Sequence, residues 1–104
     1  MANKIKISAT TGNGKTSTLL LLAEGIAKTH RVAFISDELT TEAIADKIKF
    51  LNLDLKRNFY VITTTNATIG AMDAVLLDVH DTVLRDKLVE QYEATGVEII
   101  YYIE

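Results

Sequence analysis

Lys4-Ile5-Lys6-Ile7-Ser8-Ala9-Thr10-Thr11-Gly12-Asn13-Gly14-Lys15-Thr16 is the stretch whose reading decides the fold. Lys4 to Ser8 alternates in polarity and reads as a strand, while Leu19, Leu22, Ala23 and Ile26 recur at helical spacing and read as the buried face of a helix from about Gly14 to Thr29. Between them, Ala9 to Thr16 has the order and spacing of a nucleotide-phosphate loop. A polyphosphate needs several inward-pointing backbone N–H groups, a helix N-terminus with its partial positive charge, and one cation that reaches past the loop. Gly12 and Gly14 would let the backbone curl, Lys15 would reach the β- and γ-phosphates, and the Thr16 hydroxyl would ligate a Mg²⁺ that bridges the same phosphates. The whole segment Thr11, Gly12, Asn13, Gly14, Lys15, Thr16 and Ser17 is therefore the expected phosphate-binding site. Ala9 stands where the pattern usually has glycine, adding a methyl group where strand turns into loop.

Working outward, Val32 to Ser36 is a fully apolar second strand, Phe59 to Thr63 a third and Val75 to Asp78 a fourth. Thr40 caps a helix carrying Ile44, Ile48 and Leu51 at i, i+4, i+7. Asn66 to Met72 is a weak helix former, holding Gly70 and β-branched Thr68 and Ile69. Asp81 or Thr82 opens a last helix with Leu84, Leu88 and Tyr92 inward, Gly96 is its left-handed stop, and Val97 to Ile103 closes the sheet. Apolar strands alternating with amphipathic helices predict one α/β domain over residues 1–104, a three-layer architecture with a mostly parallel sheet of about four to five strands.

Composition sets outer bounds. The 104 residues contain no cysteine, which excludes a disulfide scaffold and cysteine-ligated metal, and fits a reducing cytoplasm. The longest apolar run, Leu19 to Ala23, is too short to span a bilayer, and the N-terminus lacks the apolar core of a signal peptide. A net charge of −3 gives no electrostatic case for a nucleic-acid surface, so single-stranded DNA stays a partner without support from charge. Lys47, Lys49, Lys56 and Arg57 are local basic spots.

A triphosphate site also needs a second carboxylate for the metal and a base that orients water, both at the strand ends that share an edge with the loop. Asp78, after Ala74-Val75-Leu76-Leu77, has the hydrophobic-run-then-Asp arrangement of a Walker B strand; Asp81 is the weaker claimant. Asp37 and Glu38 follow the second strand, and at least one of them should face the cleft. His30 and His80 are isolated along the chain and carry no metal-ligand spacing, and Asn66-Ala67-Thr68 reads as a helix cap rather than a glycosylation acceptor. Tyr92, Tyr101 and Tyr102 are explained by packing.

The order ATTGNGKT, V-A-F-I-S-D-E-L-T-T-E-A-I-A, F-Y-V-I-T-T-T and A-V-L-L-D resembles the ATPase core of RecA-like proteins, and among them the DnaB-type replicative helicases. The resemblance covers Lys4 to Asp78 and implies a minimal phosphate-loop NTPase domain with ATP and Mg²⁺ as cofactors. It puts Lys15 and Thr16 on phosphate and Mg²⁺, Glu38 in the water-activating role, and Asp78 as the Walker B carboxylate. It also implies a closing strand inserted between the loop strand and the Walker B strand. Asp37 replaces an apolar residue of that family, the segment from Thr65 to Met72 is compressed, and the family's polar sensor, DNA-binding loops and arginine finger have no counterpart. Nucleotide binding is implied; DNA translocation is not.

Of three arginines, Arg31 and Arg57 precede strands and so lie at the edge away from the phosphates, leaving Arg85 as the sole internal candidate for a finger. Without one, hydrolysis loses roughly 10³ to 10⁵ in rate. The sequence therefore supports a nucleotide-dependent switch or weak ATPase, working within a homo-oligomer or with a RecA-like or helicase partner. Two alternatives stay open: a non-catalytic interaction protein that mimics a helicase or recombinase subunit, and a small-molecule kinase, although no arginine-bearing lid is evident for the latter.

Overall fold

The computed structural model describes residues 3–8, 12–63 and 71–103. Along the chain run β1 (Asn3–Ile7), α1 (Gly12–Ala27), β2 (Val32–Ser36), α2 (Thr41–Phe50), β3 (Phe59–Thr63), β4 (Ala74–Asp78), α3 (Thr82–Ala94) and β5 (Ile99–Ile103). The strands form one all-parallel sheet of five in the order β1-β5-β4-β2-β3. As expected, the closing strand lies between β1 and β4, with β2 beyond them.

Crossovers in parallel sheets are right-handed, so the direction of each step along the sheet selects the face its helix covers. The steps β1 to β2 and β2 to β3 run one way, and β4 to β5 runs back. Accordingly α1 and α2 cover one face, with Leu19, Leu20, Ala23 and Ile44 packed on Val32, Phe34, Ala74, Leu76 and Ile103. On the other face α3 lays Leu88 and Tyr92 over Ala33, Ile35, Val75, Leu77 and Ile100. β2 and β4, buried at every position, are central strands apolar on both faces.

Local signals hold at most boundaries. The Thr40 hydroxyl accepts from the Ala43 N–H and caps α2. The Asp81 carboxylate accepts from Val83 N–H and Leu84 N–H and caps α3. Gly96, at φ +85°, follows α3 in the left-handed region that a side chain would strain. Three expectations shift. α1 starts at Gly12 rather than Gly14, because the glycine pair is wound into its first turn. Its buried face is Leu19, Leu20, Ala23 and Ala27, with Leu22 and Ile26 only half-buried, since a helix over a broad sheet buries a wider stripe than one i, i+3, i+4 row. The last strand begins at Ile99, not Val97. The Asn66 to Gly70 part of the weak helix, with its Asn66-Ala67-Thr68 cap, lies outside the described residues, and Ala71 and Met72 are in no helix.

Tyr92 is the largest fully buried side chain, and its hydroxyl has no hydrogen-bond partner among the described residues. Burial also pushes its ionisation up. An unpaired buried hydroxyl costs about 1 kcal/mol or more. Tyr92→Phe should therefore raise the urea unfolding free energy by about 1 kcal/mol; a loss of stability would show that the hydroxyl has a partner.

Candidate functional site

The apolar layer under α1 ends in three polar residues. On β4, Ala74, Leu76 and Asp78 alternate toward α1; on β2, Val32, Phe34 and Ser36 do the same, and Ser36 lies directly beside Asp78 in the sheet register. On α1, Thr16 begins the buried row that continues through Leu19, Leu20, Ala23 and Ala27. Thr16, Ser36 and Asp78 are the only buried polar or charged residues among those described, tyrosine aside, and Asp78 touches the other two. The Thr16 hydroxyl faces both carboxylate oxygens of Asp78, at 3.1 and 3.2 Å, although 62 residues separate them. The Ser36 hydroxyl lies 3.4 Å from the same carboxylate and accepts from the N–H groups of Glu38 and Leu39, shaping the turn after β2.

Asp78 is fully buried. Burial pushes its carboxyl above the ordinary value, and a neighbouring Asp37 adds to the rise. The hydrogen bonds from Thr16 and Ser36 and the charge of His80 pull downward without cancelling it. Magnitudes agree with that order: an ionised carboxylate taken from water costs several kcal/mol, against about 1.5–3 for a hydrogen bond to a charged group.

A second cluster adjoins the first. The Asp37 N–H donates to the Asp78 carbonyl at 3.4 Å, and its carboxylate accepts from the His80 and Asp81 N–H groups at 2.9 and 3.0 Å. His80 Nδ1 lies 3.3 Å from Asp37 Oδ1 and 3.6 Å from Glu38 Oε2. One ligand atom from each of Asp37, Glu38 and His80 fits within 4.8 Å, a spacing that could hold a cation. His80 is thus not isolated, as its lone position in the sequence had implied: the parallel register brings the turns after β2 and β4 together.

Of the expected site residues, Thr16 and Asp78 meet directly. Lys15 is half-buried in the first turn of α1, beside Thr16, and Ser17 follows it half-buried. Gly14 lies in the helix, its carbonyl accepting from the Thr18 hydroxyl at 2.7 Å. Gly12 and Asn13 open the same helix, while Ala9, Thr10 and Thr11 lie outside the described residues. Glu38 sits two residues beyond Ser36, its side chain largely exposed beside His80. Asp81 is committed to capping α3, which removes it as a rival to Asp78. Arg85 pairs with Asp86 at 3.0 Å and lies over the Tyr102 ring at 5.3 Å from its centroid. Sequence reasoning passed over Ser36, although its period-2 spacing from Val32 and Phe34 put it on the α1 face.

Comparison with protein-family models finds no match, and neither does comparison with curated proteins.

A group whose folded-state pKa is raised stabilises the fold below its unfolded pKa and loses that contribution as pH rises through the folded value. Asp78 is such a group, so at pH 7 its charge works against the fold. Asp78→Asn should melt above the parent at pH 7, with the difference shrinking toward pH 3.8, the carboxyl's ordinary value. A variant melting below the parent at pH 7 would contradict this account.

Proposed function

We propose that this chain binds a nucleoside triphosphate, ATP, together with Mg²⁺, as a RecA-like phosphate-loop domain that acts as a nucleotide-dependent switch or weak ATPase. The observation carrying the reading is the buried Thr16–Asp78 contact. A hydroxyl and a carboxylate set side by side at the end of an apolar layer are hard oxygen donors, the type Mg²⁺ takes while keeping several waters and phosphate oxygens. Burying an ionised carboxylate costs several kcal/mol, and strongly perturbed carboxyls cluster at functional sites.

Three further features support the same reading. The N–H groups that open an α-helix have no intrahelical partner, and in α1 these include those of Gly12, Asn13 and Gly14, in the segment whose sequence reads as a phosphate loop. Thr16 and Asp78 lie at the C-terminal edge of a parallel sheet, where ligands of open α/β folds bind. The closing strand between β1 and β4 is the order that the resemblance implies.

In this reading the α1 amides and Lys15 bind the β- and γ-phosphates, and Thr16 with Asp78 would hold the metal. Mg²⁺, when bound, neutralises charge on the phosphates. Glu38 orients the attacking water from the neighbouring turn. Arg85 is engaged by Asp86 and Tyr102, so the chain's own arginine finger is not on offer and turnover is slow.

Calorimetric titration of ATP with Mg²⁺ tests the reading. The parent should bind one equivalent, and Lys15→Ala should weaken binding at least about tenfold, or 1.4 kcal/mol. Absence of binding by the parent, or equal binding by Lys15→Ala, would refute it. Steady-state hydrolysis by the isolated chain should stay below about 10⁻² s⁻¹, the rate of a phosphate-loop hydrolase with an arginine in cis.

A further inference from the structure

Among the described residues, the polar contacts of Asp37 go to the last residue of β4 and the turn after it, and none goes to α2. Thr40 caps α2, so Asp37 is not needed there. Its N–H goes to the Asp78 carbonyl, carboxylate oxygen Oδ2 collects the N–H groups of His80 and Asp81, and Oδ1 lies against the His80 ring. One residue at the end of β2 thus grips residues 78, 80 and 81 at the end of β4. Its side chain is only 12% exposed, which keeps water from competing for those amides.

The arrangement matters because Asp37 sits between Ser36 and Glu38. Ser36 touches the Asp78 carboxylate, and the carboxylate of Glu38 lies beside His80. Among the described residues, the side-chain contacts that would remain between these two strand ends without Asp37 are the long Ser36–Asp78 contact and the His80–Glu38 approach. We propose that Asp37 is a positioning residue that locks the turn carrying Glu38 to the end of β4 and the turn after Asp78, fixing the proposed metal carboxylate relative to the proposed water-orienting one. The inference rests on the triphosphate reading above, and it assigns to Asp37 a role that touches neither nucleotide nor metal. Its charge also sits at the N-terminus of α3, where an anion is favourable for stability alone. A purely stabilising role is therefore the rival to be separated.

The separating readout is the gain in nucleotide affinity that Mg²⁺ confers, measured by titrating ATP in EDTA and again in Mg²⁺. Asp37→Ala should bind ATP in EDTA within twofold of the parent, because the α1 amides and Lys15 are untouched, and should lose at least tenfold of the Mg²⁺-dependent gain. Asp37→Asn, which keeps a carbonyl oxygen for the two amides, should retain most of that gain. An undiminished gain in a folded Asp37→Ala would overturn the lock while leaving the triphosphate reading intact. A parent that binds no ATP in either condition would overturn both. Should Asp37→Ala fail to fold, amide hydrogen exchange on the parent decides the matter. The His80 and Asp81 amides should exchange slowly and slow further, at least tenfold, on adding ATP with Mg²⁺; exchange at these amides that ignores the addition would overturn the lock.

Discussion

A carboxylate buried at the end of an apolar layer is the constraint on which the rest of the structure depends. Asp78 has no exposure to solvent, and among the described residues its carboxylate accepts hydrogen bonds from the hydroxyls of Thr16 and Ser36. For those three to meet, β4 must lie beside β2 in register, and α1 must cross the sheet with its N-terminus at the strands' C-terminal edge. The parallel sheet supplies the first condition and the right-handed crossover from β1 to β2 supplies the second. Neither depends on the site. The apolar residues fix the frame, and the frame leaves three polar positions at its rim.

That division explains why a costly arrangement is tolerated. β2 and β4 are buried on both faces by the two helical layers, so most of the favourable energy of folding is collected away from the rim. Burial raises the Asp78 carboxyl in that setting, and in the proposed reading a bound cation would offset the cost of its charge. Beside it, Asp37 joins two turns that the sheet alone brings near without fixing. The proposed triphosphate site is thus a layered object: apolar packing sets the strands, hydroxyls hold the metal carboxylate, and one aspartate sets the spacing of the outer turn.

Much of this was legible in the sequence because the strands are short, apolar and well punctuated. β2 and β3 fall at their expected residues, Thr40 and Asp81 cap as their types suggest, and Gly96 ends α3. The partners of the loop could be named because Thr16 follows a distinctive spacing and Asp78 ends an apolar run. What escaped was lateral. No spacing along the chain reveals that Asp37 reaches across 43 and 44 residues to the amides of His80 and Asp81, since that contact exists only once β2 and β4 lie side by side. The row on α1 was placed on Leu22 instead of Leu20 for a related reason, because helical periodicity gives a stripe but not the width of the sheet beneath it.

The most direct test of the central claim uses Mn²⁺ as a paramagnetic stand-in for Mg²⁺ in NMR spectra of the isotopically labelled protein. In the presence of a non-hydrolysable ATP analogue, line broadening should centre on Thr16 and Asp78 and should be much weaker when the analogue is omitted. Broadening that ignores the nucleotide and centres on Asp37, Glu38 and His80, or none in this half of the sheet edge, would contradict the account.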